Sequence, residues 1–424
     1  MGRSISQWVA RPGLGGRWRA AEPPTSDPYS SVTGGLASSL ATRSARSLTG
    51  SSRSSAGAAA RGVGSRSVPR YRVEWISDEG RLAAVEEDWN TLAANEPTPF
   101  ARHAWFKAWW HSFGDAPLSV CTVWEGDRLA GALPLAGGDG PLRAMANDHT
   151  PVFGPLGRDP DALEALIDAV MGTGAVEVEL SALSAEDPRL DGLLAGAWRA
   201  RRLAVLEPQH TSPFVELSGS YSDFRAESKP RWGAPLERFR RKMEREHEAV
   251  FSLIESPTSL DEELEHGLEV EASGWKGRAG TAILSSPGTA AFYRSVARDY
   301  HADRELRLSG LSLDGRLIAF DLSILYENRL WLLKTGFDED YRRLAPGLVL
   351  RLAILERCFE LGLAGHELLG DDSQWKRKFA NGERVHRRLR AFRRRPASAL
   401  RYGYLRWARP EMRRAYRRMR STSE

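Results

Sequence analysis

Between Tyr71 and Phe392 the same order of predicted elements occurs twice, and this recurrence limits the folds open to the chain more than any other feature. The first pass opens on "YRVEW", whose apolar residues alternate as in a strand. "AAVEEDWNTLAA" and "PFARHAWFKAWWHSFG" follow with helical spacing, the second lying between Pro99 and Gly114. A hairpin comes next, "LSVCTVW", the turn "EGDR" and "LAGALPLA". Helix "DALEALIDAVMGTG", strand "AVEVEL", helix "RLDGLLAGAWRARR" and strand "SPFVEL" complete the pass. The second pass runs "AVFSLIE", two helices, a three-strand meander turning on "DG", the amphipathic helix "GLVLRLAILERCFELG", and the strands "HELLG" and "RVHRRLRAF". Both passes place turn residues before Arg-Leu, at Arg128 and at Arg316. The pattern predicts an α/β (α+β-like) protein of two tandem domains, residues 71–218 and 249–395, each a mostly antiparallel mixed sheet flanked by helices. A basic helical connector spans 219–248, a leader 1–70 and an amphipathic tail 396–424.

Charge separates the ends from the body. Residues 1–70 hold ten Arg, no Lys and two acids; from Arg387 onward there are fourteen Arg, no Lys and two acids. The globular part between them is therefore acidic, and the basic overall charge of +5 is no argument for nucleic-acid binding by the body. The leader is rich in Arg, Ser and Gly and has no apolar period, so it reads as disordered; its composition is also that of an organelle transit peptide. No apolar run is long enough to cross a membrane. The only two cysteines, Cys121 and Cys358, sit in apolar stretches and form neither a disulfide framework nor a zinc site. A cytoplasmic setting is expected.

The stretch 330–379 carries the most chemistry. A strand ends near Phe337, and a loop holding Arg342, Arg343, Leu344, Ala345, Pro346, Gly347 and Leu348 leads into the long helix. Free amides and the dipole at a helix start favour phosphate, and glycine lets it approach. The same residues also suit a plain strand-to-helix turn with two solvated arginines.

"DGRLIAF", "FDEDYRRLAPGLVL" and "HELLGDDSQWKRKFA" together resemble the second half of the cellulose-biosynthesis-type acetyltransferases of the GNAT superfamily, which is similar to the Fem-type aminoacyltransferases. In the first half "WNTLAANEPTPFARHAWFKAWWHSFG", "GDRLAGALPL" and "NDHTPVFGPL" resemble family segments too, so the likeness covers roughly residues 71–392. "RRLAPG" departs from the family's phosphate signature, which has two small residues after its Arg or Gln. The resemblance implies two tandem GNAT-like domains and transfer of an acyl group, N- or O-linked, to an amine or hydroxyl. It further implies an acyl-CoA donor bound over residues 342–348, with no metal, and an envelope- or polysaccharide-related acceptor. Acyl transfer requires a proton acceptor and an oxyanion donor. Lys376 is expected to hold donor phosphate or the oxyanion beside Trp375. Asp371 or Asp321 is expected to act as base, although Asp321 sits in an apolar strand whose faces alternate. "GWKGRAG" reads as a loop bringing Trp275 and Lys276 to the substrate, and "NDHTP" brings Asn147 and His149; each also reads as an ordinary surface turn.

Two other functions fit. One is a Fem-like aminoacyltransferase using aminoacyl-tRNA, the only reading in which nucleic acid is a partner. The other is an inactive GNAT-like pair serving as a binding scaffold. In the tail, Leu405, Ala408 and Met412 share one helical face with arginines around it. That segment suits docking on the acidic body, peripheral contact with an anionic membrane, or RNA.

Overall fold

Tight turns set the second pass. The loops Asp314–Gly315 and Glu327–Asn328 each hold two residues at positive φ (51°, 80°, 47° and 56°), the I′ geometry whose twist matches that of flanking strands. The structure, a computed structural model, describes residues 70–228 and 232–408; the predicted leader and the tail beyond Ala408 lie outside them.

The first pass contains β1 (Arg72–Ile76), α1 (Glu79–Ala84), α2 (Glu86–Ala93), α3 (His103–Phe113), β2 (Val120–Glu125), β3 (Arg128–Leu133), β4 (Leu135–Gly137) and β5 (Pro141–Ala144). It continues with β6 (Leu156–Gly157), α4 (Pro160–Met171), β7 (Glu177–Ser184), α5 (Arg189–Arg199) and β8 (Leu203–Glu216). The connector is two helices, α6 (Tyr221–Ser228) and α7 (Ala234–Glu246). The second pass has β9 (Ala249–Glu255), α8 (Leu260–Ser273), α9 (Trp275–Arg278), α10 (Pro287–Ala302), β10 (Leu306–Leu313), β11 (Arg316–Tyr326) and β12 (Arg329–Phe337). It closes with α11 (Pro346–Glu360), β13 (Gly365–Glu367), α12 (Gln374–Phe379), β14 (Gly382–Phe392) and α13 (Pro396–Gly403). The segment "GWKGRAG", expected as a loop, begins with the short helix α9.

Four strands, β1-β2-β3-β6, form one sheet, and ten, β4-β5-β7-β14-β8-β13-β12-β11-β10-β9, form the other. Pro134 separates β3 from β4: without an N–H it cannot continue a ladder, and the first pass divides there. The two passes exchange their last strands. β14 lies between β7 and β8, while β8 lies between β14 and β13, all antiparallel. Each pass also has one parallel pair, β5 with β7 and β12 with β13.

Helices that occupy matching places in the two passes meet. Trp105 of α3 packs edge-on against Phe292 of α10 at 5.1 Å, and the Tyr300 hydroxyl donates to the Pro99 carbonyl at 2.6 Å. Such ring pairs contribute about 0.5–1.5 kcal/mol beyond their buried area. One apolar cluster accordingly runs from Ile76 and Trp89 through to Leu322 and Ile324.

Candidate functional site

The two parallel pairs are where the passes differ. β12 pairs with β13 only from Arg329↔Gly365 to Trp331↔Glu367, although β12 continues to Phe337. Among the described residues no strand or bridge fills the remaining edge, so a gap opens between the two strands. The gap between β5 and β7 is closed instead: the Phe153 amide donates to the Ala182 carbonyl at 3.0 Å, and Phe153 bridges Leu183 in parallel.

The helix starts beside these gaps differ in the same sense. At α4 the Asp159 carboxylate accepts from the Ala162 amide at 2.8 Å, so an anion already sits there. α11 begins after Ala345, a left-handed residue (φ 50°, ψ 48°), and has no side-chain cap. The Leu348 and Val349 amides both donate to the Ala345 carbonyl at 3.0 Å. Pro346 has no N–H, leaving the Gly347 amide without an acceptor among the described residues. Arg342 and Arg343 are exposed and make no ion pair among the described residues, Leu344 is half-buried, and Pro346 is buried. This start offers an anion one amide and two guanidinium groups.

Beneath it lies a buried polar cluster. Arg351, one turn into α11, is ion-paired with Asp321 of β11, and its Nη1 donates to His366 Nε2 at 2.6 Å. His366 Nδ1 donates to the Leu330 carbonyl at 2.9 Å, which fixes the tautomer. All three side chains are almost fully buried. Burial pushes the Asp321 carboxyl up, against the pull of Arg351 and the Thr335 hydroxyl. Burial, then the Arg351 charge, pushes His366 down to about 3, so it is neutral. Asp321 is thus enclosed under the helix rather than open to the gap.

Three lysines stand around the gap. Lys376 donates to the Leu369 carbonyl and to the Asp371 carbonyl at 3.1 Å, which leaves one of its three N–H groups for a ligand. Gly370, at φ 56°, lets the chain turn here; a Cβ on it would lie 3.2 Å from Lys376 Nζ. Trp375 is half-buried, with the Arg351 guanidinium 5.6 Å from its ring. Lys276 donates to Glu271 Oε1 at 2.9 Å and to the Thr335 carbonyl at 2.7 Å. Glu271 is buried and also accepts from the Ile283 amide at 2.9 Å. Lys334 of β12 lies 5.0 Å from the centre of the Tyr293 ring. Burial pushes Lys334 down to about 8, assisted by Lys276; burial pushes Lys376 to about 8, with Arg351 and Lys276 acting the same way and Asp371 opposing.

His149 crosses between the passes. Its ring stacks on Phe113 at 5.4 Å, and its Nδ1 lies 3.2 Å from the Tyr293 hydroxyl. Burial, with Lys334 nearby, lowers it to about 4. Asn147 works through the loop: its side-chain Oδ1 accepts from the His149 amide at 3.0 Å. On the central strands His210 stacks on the buried His386 at 4.4 Å, and Asp371 and Lys376 act on the charge of His210. Asp371 is exposed. The Trp275 side chain lies outside the described residues.

Lys376, Lys276, Asp371 and His149 therefore gather around one region with Trp375, whereas Asp321 lies beneath it. Lys334, Tyr293, Glu271, Arg351, His366, His210 and His386 were not anticipated. One signal was available: the chain has seven lysines against 53 arginines, and three of the seven are here. Lysine, unlike arginine, loses its proton readily when buried. Among the described residues no three His, Cys, Asp or Glu side chains come together to hold a metal.

No curated protein matches the chain. Among solved structures it is similar to the C-terminal domain of a putative lysylphosphatidylglycerol synthetase from Agrobacterium fabrum, at 16% identity and a TM-score of 0.49 over 75% of this chain and 94% of that one. It is also similar to FemX (9%, TM-score 0.46, 71% and 95% covered). A tandem GNAT protein from the clavulanic acid biosynthesis pathway is similar too (14%, TM-score 0.40, 75% and 98% covered). Residues 234–377, from α7 through the gap to Lys376, match the family model described as an acetyltransferase (GNAT) domain.

Proposed function

We propose that this protein is an acyltransferase of the cellulose-biosynthesis-like GNAT type, with a donor site in the second pass only. The observation that carries this reading is the asymmetry of the gaps, open beside an uncapped helix in the second pass and bridged beside a capped one in the first. The donor is acyl-CoA, its diphosphate held by the Gly347 amide with Arg342 and Arg343, and its thioester carbonyl in the gap between β12 and β13. An acceptor amine or hydroxyl, envelope- or polysaccharide-related, enters where His149, Tyr293 and Lys334 meet. It attacks the thioester carbon, Lys376 stabilises the oxyanion, and the C–S bond breaks as CoA thiolate leaves. The acceptor proton passes to Asp371, or to Lys334 where it is deprotonated above its pKa of about 8, and finally to the thiolate. A base near working pH is worth about 10²–10⁴-fold. Asp321 orients Arg351 and, through it, the start of α11. The reading places the protein in the cytoplasm; no helix among the described residues is long and apolar enough to cross a membrane.

Thermal unfolding with candidate donors tests this. Acetyl-CoA or a longer acyl-CoA at a hundred times its Kd stabilises a protein that binds it by about 2.7 kcal/mol, several degrees for a body of this size. Arg342→Ala with Arg343→Ala should remove most of that rise without changing the unliganded Tm. A rise with aminoacyl-tRNA and none with any acyl-CoA would assign the donor to tRNA. No rise with either would leave a binding scaffold.

A further inference from the structure

The helix that ends the described chain has two faces of opposite use. On the inner face Ser398 and Leu405 are buried, and Leu405 packs with Val205 and Phe392. Arg401 fastens the helix, donating to Glu177 Oε2 at 2.8 Å. On the outer face Leu400 is 78% exposed, Tyr404 48% and Trp407 63%. Leu400 belongs to α13, and Tyr404 and Trp407 to the π-helical turn Tyr404–Ala408 that continues it; all three are exposed. With Trp198, also 78% exposed, they are the four most exposed large apolar side chains among the described residues. Trp198 is in the last turn of α5, five residues before Leu203, which pairs with Phe392 just ahead of α13, so all four lie at the same end of the sheet.

From these observations we infer that the exposed apolar patch made by Leu400 of α13 with Tyr404 and Trp407 of the turn that follows docks on the surface of a membrane containing anionic lipid. Large apolar side chains gathered in water mark an interaction surface, and the Trp407 ring is held there edge-on against Tyr402 at 5.6 Å. Charge selects the partner. Residues 393–408 hold five arginines and no acid, and the sequence to the end adds six more arginines. An aliphatic and aromatic patch flanked by arginine is the composition of an interfacial helix, rings at headgroup depth and cations at lipid phosphates. A second copy of the chain would present the same positive charge across a two-fold contact and be repelled. RNA would use the arginines and rings, but gains nothing from an exposed leucine. The helix is already folded against the body, so docking costs little ordering.

Co-sedimentation of the full chain with phosphatidylcholine vesicles, with and without phosphatidylglycerol, tests the inference and needs no enzymatic readout. The protein should bind the phosphatidylglycerol vesicles and not the neutral ones. The triple variant Leu400→Ser, Tyr404→Ser, Trp407→Ser should bind at least about tenfold more weakly, with Trp407→Ala alone between the two and thermal unfolding unchanged in both. Absence of wild-type binding would overturn the proposal. So would a triple variant that binds as well as wild type, since adhesion would then rest on the arginines alone. A variant that loses a dimer or RNA binding while vesicle binding is absent would give the patch to that partner instead.

Discussion

Replacing Arg351 with leucine is expected to destabilise the protein by about 3–5 kcal/mol, because removing one member of a buried ion pair leaves the other charged and unpaired. Two groups lose their partner at once: the Asp321 carboxylate and His366 Nε2, both almost completely buried. Thermal unfolding should show a fall of roughly ten degrees. The side chain that leucine replaces is buried against Asp321, His366 and the Trp375 ring. The double variant Arg351→Leu, Asp321→Leu should recover part of the loss, because a matched apolar pair is often neutral or better. pH supplies a second check. Burial already raises the Asp321 carboxyl, and loss of the guanidinium raises it further. The folded variant then binds that proton more tightly than the unfolded chain, so its deficit relative to wild type shrinks as pH falls through the folded-state pKa. A single variant as stable as wild type at neutral pH would show that the pair contributes nothing.

What the sequence made visible was local. "DG" at residues 314–315 forms the turn its composition demands, and Pro346-Gly347 opens a helix. The exchange of β8 and β14 was not visible. β8 is fourteen residues long, yet only its last part, "SPFVEL", alternates cleanly; "LEPQHTS" before it is polar. Those residues are held in a strand by partners more than 170 positions away, such as Arg388 opposite Glu207 and Val385 opposite Thr211. Arg390 adds ion pairs to Glu177 and Glu179 from the same strand. No local pattern encodes such pairing. The site followed the same division: Lys376 stands out by its loop, whereas Tyr293 and Lys334 take their meaning from His149, which belongs to the other pass. The helix over residues 83–94 shows the limit at small scale, divided at Val85 (φ −98°, ψ 7°) into α1 and α2.

The largest effect on turnover is expected from Lys376→Ala: a fall of about 10²–10³-fold in kcat/KM, the usual consequence of losing one oxyanion donor, with thermal stability close to wild type. Stability should hold because, among the described residues, the ammonium hydrogen-bonds two backbone carbonyls, Leu369 and Asp371, and lies over the Trp375 ring, beside exposed residues that water can reach. The pH dependence separates a charged role from a packing role. Burial sets the Lys376 ammonium near 8, so a step that needs the cation weakens as pH rises through that value. Lys376→Arg keeps the charge at all working pH values and should retain part of the activity while the alkaline decline moves upward. Lys334 also titrates near 8, so Lys334→Met serves as the control: a decline that persists in it and vanishes in Lys376→Arg belongs to Lys376. Bound anion should raise the Lys376 pKa, so acyl-CoA binding at pH 8–9 should take up protons in wild type and not in Lys376→Ala. Full turnover by a folded Lys376→Ala protein would remove this residue from the chemistry. The gap between β12 and β13 would then need its oxyanion donor from the backbone.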